Sequence, residues 1–265
     1  MRISVTGKRV LVTASTEGIG KEVAKAFLSE GASVVISSRS EEKLRLALSE
    51  LKAISPQVYG FRSDLTDRKS LEDLVAQARN VMSGIDVLIL NFGNPPREPS
   101  YFEETNLEDW DYAVSLYLLS AITITKAVLP DMLRQKWGRI IYLSSWTVRE
   151  PQPQFVLADV ARAPLAQLAK ILSHHYAQYN VTFNVVRMGS FRTPGALKGL
   201  EELAKRTGRG LDEVIEAEVI RRTDVRRFGV VGTDLAPLLI FLASDLGSYI
   251  TGAVIDVDGG TSGCV

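Results

Sequence analysis

Short apolar, β-branched runs alternate along the whole chain with longer segments in which apolar residues recur at helical spacing. In the segment 41–51, Leu44, Leu48 and Leu51 recur at i, i+4 and i+7, which places them on one face of a helix. The same pattern predicts a helix over 18–29. Seven runs have the length and composition of buried strands, and they lie at residues 9–13, 33–37, 58–62, 87–91, 139–144, 182–187 and 253–257.

Strands that alternate with helices are typical of βαβ units, whose right-handed crossovers cover both faces of a parallel sheet. We therefore predict an α/β fold with a doubly wound, seven-stranded parallel sheet and helices on both faces. No linker-like composition, charge block or repeat divides the sequence, so residues 1–265 are predicted to form one domain. A charged, helix-prone segment at 194–232 stands between two late strands and is the candidate substrate lid.

Composition narrows the classes of partner. Thirty-one basic residues balance thirty-one acidic residues, and this chain therefore lacks the basic excess typical of proteins that bind nucleic acid or anionic membranes. No stretch approaches the roughly 20 apolar residues that span a bilayer, so no membrane association is expected. The single cysteine, Cys264, cannot form an internal disulfide, which favours a reducing, cytoplasmic location.

Candidate nucleotide-binding residues follow three of the predicted strands. The stretch from Thr13 to Gly20 follows the first strand and opens the first helix, and Gly18 and Gly20 allow a tight turn and a close approach of phosphate to the helix N-terminus. Two glycines alone are a weak signal, and a plain tight turn between strand and helix is the alternative interpretation. Asp64-Leu65 and Asn91-Phe-Gly93 follow the third and fourth strands, at the edge where doubly wound sheets bind ligands.

Taken in order, these motifs resemble the short-chain dehydrogenase/reductase family over almost the whole chain. The stretch Thr13–Gly20 resembles the family's T-G-x-x-x-G-x-G, with Ala14 in place of the first glycine. Arg227-Phe-Gly229 resembles a late segment of 3-oxoacyl-carrier-protein reductases and sugar dehydrogenases. The resemblance implies a Rossmann-type domain, an oxidoreductase that interconverts a carbonyl and a secondary alcohol, and a homotetramer. Further matches are Trp110, Pro130-Asp-Met132, Gly138-Arg-Ile140, Ser144-Ser145, Asn184, Thr251-Gly252 and Asp258-Gly-Gly260.

The dinucleotide is expected to be NADP rather than NAD. Ser38 and Arg39 stand at the end of the second strand, where a carboxylate would repel a 2′-phosphate, and an arginine binds phosphate through a planar fork. Glu17 counts against NADP, and Arg39 could instead pair with Glu41 or Glu42 at the helix start. The predicted cofactor contacts are Thr13, Ser15, Gly18, Ile19, Gly20, Ser38, Arg39, Asp64, Leu65, Asn91, Gly93, Arg162, Gly189 and Thr193.

The catalytic positions depart from the family pattern. In the family a serine polarises the substrate carbonyl, a tyrosine carries the proton and a lysine holds the nicotinamide ribose. Ser145 matches the serine, but Ala158 and Arg162 occupy the tyrosine and lysine positions, and Tyr117 replaces a usual asparagine. An arginine stays charged and cannot deliver a proton near neutrality, although it can still hold ribose hydroxyls. The candidate catalytic residues are therefore Ser145, Tyr117 and Arg162, and no metal site is predicted.

Several alternatives stay open at this point. The Tyr117 phenol either replaces the missing proton donor, with Arg162 favouring its ionisation, or only fills the space left by Ala158. Asp159 is a weaker candidate because it is expected to point away from the face of position 158. Pro164 implies that the surrounding helix either starts late or is kinked. The loss of the family's acid/base residue also leaves a second hypothesis, a non-catalytic NADP(H)-binding sensor or assembly subunit.

Overall fold

A computed structural model of the chain describes residues 3–95, 97 and 99–263, so Cys264 lies outside the described residues. Seven strands form one parallel sheet in the order β3-β2-β1-β4-β5-β6-β7, which confirms the predicted doubly wound, Rossmann-type architecture. The strand order reverses between β1 and β4, and this reversal creates the crevice in which such sheets bind ligands. The strands are β1 Arg9–Val12, β2 Ser33–Ser38, β3 Val58–Arg62, β4 Val87–Leu90, β5 Gly138–Ser145, β6 Val181–Met188 and β7 Val254–Val257.

Helices cover both faces of the sheet and bury one apolar cluster on each. One cluster joins the sheet to α3, α5, α6 and α7, and the other joins it to α1, α2 and α10. The segment predicted as a lid carries α8 and α9. The helices are α1 Gly18–Ser29, α2 Glu41–Lys52, α3 Arg68–Met82, α4 Leu107–Val114, α5 Ser120–Gln135, α6 Val156–Arg162, α7 Pro164–Tyr176, α8 Pro194–Thr207, α9 Leu211–Ile215 and α10 Ala236–Ala243.

A continuous helical rod runs from Leu107 to Gln135 through α4, a π-helical turn at Ser115–Leu119 and α5. By length and composition alone this rod could cross a membrane, with a mean hydropathy of 1.6 over its most apolar window. The expectation that no stretch reaches that length was therefore wrong. Half of that window is buried, and Ile124 and Val128 pack in the apolar cluster, as in the core helix of a soluble protein.

The helical segment that follows the loop after Ser145 is interrupted between α6 and α7. The helix α6 ends at Arg162, Ala163 keeps helical angles (φ −52°, ψ −40°), and Pro164 is the first residue of α7. Because proline has no amide hydrogen, it cannot donate to the carbonyl of Val160, and the helical hydrogen-bond ladder is broken there. Of the two alternatives raised by Pro164, a late start does not fit, because α6 already begins at Val156 and α7 continues from Pro164.

The turn between β1 and α1 is held by very close backbone packing. A Cβ atom built on Gly20 would lie 2.5 Å from the Ala14 carbonyl oxygen and 2.8 Å from the Asn91 amide nitrogen, so only glycine fits at position 20. Gly18 has φ +56°, and Ala14 has φ +46°, in the left-handed region. For a residue with a Cβ this conformation costs about 1–2 kcal/mol.

At the amino ends of the parallel strands, an ion pair joins the starts of β1 and β4. The Asp86 carboxylate accepts hydrogen bonds from the Arg9 backbone N–H at 2.9 Å and from the Arg9 side-chain Nε at 2.8 Å. Burial alone would raise the pKa of Asp86, but its hydrogen bonds from Arg9 outweigh burial and hold the pKa below its ordinary value of 3.8. The pair therefore stabilises the fold whenever Asp86 is ionised.

Replacing Ala14 by glycine should relieve strain. We expect Ala14→Gly to raise the free energy of unfolding by about 0.5 kcal/mol, because strain relief exceeds the entropic cost of a glycine. The matched control Ala26→Gly, inside α1, should instead lower it by about 1 kcal/mol. Urea denaturation measures both values, and a loss at position 14 equal to that at position 26 would contradict the prediction.

Replacing Asp86 by asparagine should destabilise the protein in a pH-dependent way. We expect Asp86→Asn to lower the free energy of unfolding by about 1.5–3 kcal/mol near neutral pH, since charge-assisted hydrogen bonds are lost. The folded-state pKa is depressed, so the difference from the parent is full above the ordinary aspartate pKa and disappears as the pH falls through the depressed value.

The control for this measurement is Asp73→Asn, which removes an exposed pair with Lys69 on α3 and should change stability by less than about 0.5 kcal/mol. A deficit of Asp86→Asn that persists unchanged under strongly acidic conditions would show that the charge of Asp86 is not its origin.

Candidate active site

The glycine loop is tied to the end of β4 at the point where the strand order reverses. The Thr13 hydroxyl donates to the Asn91 carbonyl at 2.7 Å and accepts from the Asn91 N–H at 3.0 Å, while the Asn91 side-chain amide donates to the Ala14 carbonyl at 2.9 Å. Thr13 and Asn91 are both buried. These two predicted cofactor residues thus shape the loop through their own hydrogen bonds.

The rest of the loop is built for close packing and leaves its helix end open. The Ser15 hydroxyl, fully buried, donates to the Val12 carbonyl at 2.6 Å and accepts from the Ser37 N–H at 3.0 Å. Ile19 packs against the apolar cluster of that face. At the N-cap of α1, Glu17 makes no side-chain cap, so the first-turn amides are not capped by that side chain.

The end of β2 presents an exposed guanidinium. Arg39 donates from Nη1 to the Tyr112 hydroxyl at 2.7 Å, a neutral partner on α4. No ion pair of Arg39 with Glu41 or Glu42 occurs among the described residues. Glu17, which counted against NADP, is paired with Lys43 at 3.0 Å, so its charge is balanced on the same side of the site.

The end of β3 contributes one polar residue and one core residue. The Asp64 carboxylate accepts from the Thr66 N–H at 2.9 Å and from the Thr66 hydroxyl at 2.8 Å, and the Asp64 N–H donates to the Ser70 hydroxyl at 2.9 Å. Leu65 is buried in the apolar cluster. After β4, Gly93 is exposed, and a Cβ built there meets nothing within 4 Å.

Two residues near the lid have different surroundings. Thr193 caps α8 by accepting from the Ala196 N–H at 3.1 Å, and its Cβ lies 3.5 Å from the position of a Cβ built on Gly18. The residue that immediately precedes the predicted lid segment therefore lies against the glycine loop. A Cβ built on Gly189 would lie 2.6 Å from the Asp258 Cα, so glycine is needed there for backbone packing against Asp258.

Ser145 ends β5 and begins a row of hydrogen-bonded side chains. Its Oγ accepts from the Thr147 hydroxyl at 2.8 Å and from the Thr147 N–H at 3.3 Å. The Thr147 hydroxyl is also hydrogen-bonded to Asp159 Oδ1, and Asp159 Oδ2 accepts from the Gln152 N–H at 3.3 Å. Asp159, the weaker candidate because it was expected to point away from the face of position 158, has its carboxyl connected to Ser145 through one hydroxyl.

The environment of Asp159 favours its neutral form. Burial is the largest influence and raises the pKa of Asp159, while the hydrogen bond to Thr147 and the positive charge of Arg162 act in the opposite direction. The net result is a raised pKa. A buried carboxyl that holds its proton more tightly than usual is a group that acid/base chemistry can use.

Arg162 and Tyr117 pack against one another beside Ala158. The Arg162 Nε donates to the Ala158 carbonyl at 3.1 Å, its guanidinium carbon lies 4.9 Å from the centre of the Tyr117 ring, and Nη2 lies 3.9 Å from Asp159 Oδ1. Tyr117 is buried, and its hydroxyl donates to the Gly93 carbonyl at 3.0 Å. The π-helical turn Ser115–Leu119 places Tyr117 there, and such turns often occur at functional sites.

Two arginines connect the lid segment to the loops around Ser145. Arg206 donates to the Pro99 carbonyl at 2.9 Å and to Glu104 Oε1 at 2.7 Å. Arg222 donates to the Gln152 side-chain oxygen at 2.9 Å, in the loop that also binds Asp159. The segment predicted as a lid is therefore hydrogen-bonded to two separate loops, at 99–104 and at Gln152.

The sequence analysis missed Thr147 and ranked Asp159 below Ser145, Tyr117 and Arg162. Thr147 lies two residues after Ser145, and Asp159 lies next to Ala158, at which the family resemblance implies a tyrosine. The available signal for Asp159 was a carboxyl immediately adjacent to that position. The turn Trp146–Val148, which brings the two side chains together, has no comparable signal in the sequence.

Comparisons with known proteins give one family throughout. The family described as short chain dehydrogenase matches residues 8–202. The oxidoreductase UcpA of Salmonella typhimurium is 31% identical over 259 residues, covering 97% of this chain and 95% of that protein. The 3-oxoacyl-[acyl-carrier-protein] reductase FabG of Aquifex aeolicus is 30% identical over 261 residues, covering 98% and 99%.

Solved structures agree with this assignment. The L-sorbose reductase of Gluconobacter frateurii, in complex with NADPH and L-sorbose, superimposes with a TM-score of 0.93 at 26% identity and covers 100% of both chains. An actinorhodin polyketide ketoreductase with NADPH gives a TM-score of 0.91 at 26% identity, covering 97% of this chain and 98% of that one. With the fold, the glycine loop and the match over residues 8–202 in agreement, the chain belongs to the short-chain dehydrogenase family of oxidoreductases.

Proposed function

We propose that the protein is an NADP(H)-dependent oxidoreductase that interconverts a small carbonyl compound and its secondary alcohol. One observation carries the proposal: Ser145 lies half-buried at the carboxyl end of β5, with its hydroxyl bound to a second hydroxyl and, through it, to a buried carboxyl. A polar row that ends on an accessible serine suits the binding and protonation of a carbonyl oxygen. It has no evident use in a protein that only binds a dinucleotide.

The residues of the glycine loop fit a dinucleotide. The backbone packs so tightly at Gly20 that no Cβ fits, the adjacent α1 has no side-chain cap, and Gly93 opposite has open space around it. This arrangement admits a pyrophosphate against backbone N–H groups. The residues proposed to hold the cofactor are Thr13, Ser15, Gly18, Ile19, Gly20, Ser38, Arg39, Asp64, Leu65, Asn91, Gly93, Arg162, Gly189 and Thr193.

When bound, the nicotinamide supplies or accepts the hydride at the substrate carbon. Ser145 donates a hydrogen bond to the substrate oxygen and so stabilises the negative charge that develops on it. Arg162, whose side chain is mostly buried, retains the positive charge of the family's lysine and is proposed to hold ribose hydroxyls. The lid segment, fastened by Arg206 and Arg222, limits the access of water to the substrate.

Tyr117 has two proposed roles that follow from the same surroundings. Its phenol could serve as the proton donor in place of the family's tyrosine, because Arg162 lies over its ring. Its burial and its hydrogen bond to the Gly93 carbonyl favour the other role, in which it packs beside Ala158 and supports the loop after β4.

NADP is the proposed cofactor because the 2′-phosphate end of the cleft is basic. Arg39 is exposed and its side chain donates to the neutral Tyr112 hydroxyl, and the Arg62 Nε donates to the Arg39 carbonyl at 3.1 Å. Two guanidinium groups therefore lie at this edge. Two of the solved relatives described above contain NADPH, which supports the same choice.

A homotetramer and a cytoplasmic location remain predictions. The homotetramer follows from the family resemblance and is supported by exposed apolar side chains on the π-helical turn, α6 and α7, namely Leu119, Val160 and Ile171.

Turnover decides between an enzyme and a binding protein. We expect the protein to oxidise NADPH with at least one member of a panel of ketones, aldoses and 3-oxoacyl thioesters. Fluorescence titration of NADPH, run in parallel, measures binding independently of turnover. Tight NADPH binding without turnover on any member would instead favour the sensor or assembly subunit.

Charge reversal at Arg39 should weaken the binding of NADPH but not the binding of NADH. We expect Arg39→Asp to raise the Kd of NADPH by about 10- to 100-fold, the value of a charge-assisted hydrogen bond, and to change the Kd of NADH by less than about threefold. The control Arg45→Asp makes the same charge change on the exposed face of α2 and should affect neither Kd by more than about threefold. An equal loss for both dinucleotides in Arg39→Asp would contradict a 2′-phosphate site.

A further inference from the structure

Behind Ser145, three side chains form a row that leads from the accessible site into the interior. Ser145 is half-buried, whereas Thr147 is 3% and Asp159 is 5% exposed. The Thr147 hydroxyl lies 2.8 Å from Ser145 Oγ and is hydrogen-bonded to Asp159 Oδ1. We propose that Asp159 supplies the proton of carbonyl reduction, through the hydroxyls of Thr147 and Ser145, to the substrate oxygen. This inference rests on the proposed function and names the proton source of that same site.

The other groups near the site are poorly suited to this role. Alanine at position 158 has no proton to give, and Arg162 keeps its charge near neutrality. The Tyr117 hydroxyl donates to the Gly93 carbonyl at 3.0 Å. Asp159 is a titratable group that is connected to Ser145 through one intervening hydroxyl, that of Thr147.

The charge of Asp159 sets the direction of every hydrogen bond in the row. Thr147 has one hydroxyl proton and two oxygen neighbours, so it can donate to only one of them. When Asp159 is ionised, Thr147 donates to it, and the proton between Thr147 and Ser145 must then come from Ser145. When Asp159 is protonated, it donates to Thr147, Thr147 donates to Ser145, and the Ser145 proton is free to point to the substrate.

The proposed step balances as follows. The substrate carbon gains a hydride, and thus both electrons, from the bound nicotinamide dinucleotide, while the substrate oxygen forms an O–H bond with the Ser145 proton. Ser145 Oγ takes the Thr147 proton, and Thr147 Oγ1 takes the Asp159 proton, which leaves a carboxylate. After the alcohol leaves, water at Ser145 returns a proton along the same row. Oxidation of an alcohol uses these transfers in reverse.

The surroundings of Asp159 suit both halves of this cycle. Burial raises the pKa of Asp159, so the carboxyl is protonated at a higher pH than an ordinary aspartate. Arg162 Nη2, at 3.9 Å, stabilises the carboxylate that remains after transfer. Arg162 is thus proposed to supply the positive charge of the family's lysine and also to stabilise the ionised form of Asp159.

Other charged groups on the packed elements are engaged elsewhere or exposed. In the segment after Ser145, Arg149 pairs with Asp256 at 2.6 Å, and Glu150 accepts from the Gly263 N–H at 3.0 Å. Arg222 donates to Gln152 and lies 3.4 Å from Glu218. On α4, which packs against α6, Asp109 pairs with Arg97 at 3.3 Å, and the two exposed carboxylates are Glu108 and Asp111. Arg162 is therefore the charged side chain in the described part of the chain expected to tune Asp159 most.

The pH dependence follows from the protonated form being the donor. The rate of reduction should fall as the pH rises through the raised pKa of Asp159, and the rate of alcohol oxidation should rise over the same interval. These two pH-dependent changes in rate are the limbs of the pH profiles. Arg162→Gln should move both limbs to higher pH, since the positive charge that favours the carboxylate is lost. Tyr117→Phe should leave the pH of both limbs unchanged, whatever its effect on the rate.

Steady-state kinetics of four variants tests the row. We expect Asp159→Asn and Thr147→Val to lower kcat for reduction by at least about 10²-fold and to lose the pH limb, because each interrupts proton transfer. Asparagine can still donate to Thr147, so KM for the carbonyl substrate in Asp159→Asn should stay within about threefold of the parent. Thr147→Ser restores the hydroxyl and should restore both rate and limb. The control Asp73→Asn, on the exposed face of α3, should match the parent.

A second measurement needs neither cofactor nor turnover. Carboxyl ¹³C NMR of the protein labelled with ¹³C-aspartate should show one resonance that is absent from Asp159→Asn and titrates above the ordinary aspartate range. In Arg162→Gln this resonance should titrate at still higher pH. The measurement also keeps the proposal testable if one variant folds poorly, which circular dichroism would reveal.

The outcomes distinguish a failure of the proposed proton transfer through Asp159, Thr147 and Ser145 from a failure of the proposed oxidoreductase function. An active parent whose pH limb survives in Asp159→Asn or Thr147→Val overturns the row and leaves the oxidoreductase standing. A resonance of Asp159 that titrates in the ordinary range, or a limb that is lost in Tyr117→Phe, also overturns it. A parent that binds NADPH but turns over no substrate of the panel overturns the proposed function and the row together.

Discussion

The reciprocal hydrogen bonds between Thr13 and Asn91 hold together the place where the sheet changes direction. They join the ends of β1 and β4, the two strands on either side of the reversal, and Asn91 also binds the carbonyl of Ala14. The crevice of a doubly wound sheet opens at this junction. The glycine loop, the open space at Gly93 and the partner of the Tyr117 hydroxyl all depend on the position of this one connection.

The side chains at positions 158 and 162 are best described together, because the family resemblance implies a tyrosine and a lysine where this chain has an alanine and an arginine. The Arg162 guanidinium folds back to the Ala158 carbonyl and over Tyr117, close to Asp159. The buried carboxyl is tolerated because Thr147, the Gln152 N–H and this guanidinium surround it.

The sequence indicated the fold well because the strands of a parallel sheet are buried on both faces and so form unmistakable apolar runs. The glycine loop could be located because Gly18 and Gly20 follow the first apolar run and open the first helix. The structure adds that no Cβ fits at Gly20. Asp159 received little weight because consecutive residues of a helix lie about 100° apart, which turns its carboxyl away from the face of position 158. The turn at Trp146–Val148 brings the Thr147 hydroxyl to that carboxyl. The rod Leu107–Gln135 was missed as an apolar helix because polar residues interrupt every run within it.

The π-helical turn at Ser115–Leu119 determines which sides of the helical rod face the two ends of the cleft. The helical rod contacts Arg39 through Tyr112 before this turn, and contacts Gly93 and Arg162 through Tyr117 within it. A π turn accommodates one more residue than an α turn, so the two halves of the rod are rotated by about 100° from the register of an unbroken α-helix. Deleting a single residue there would leave a regular helix that can face only one end of the cleft correctly.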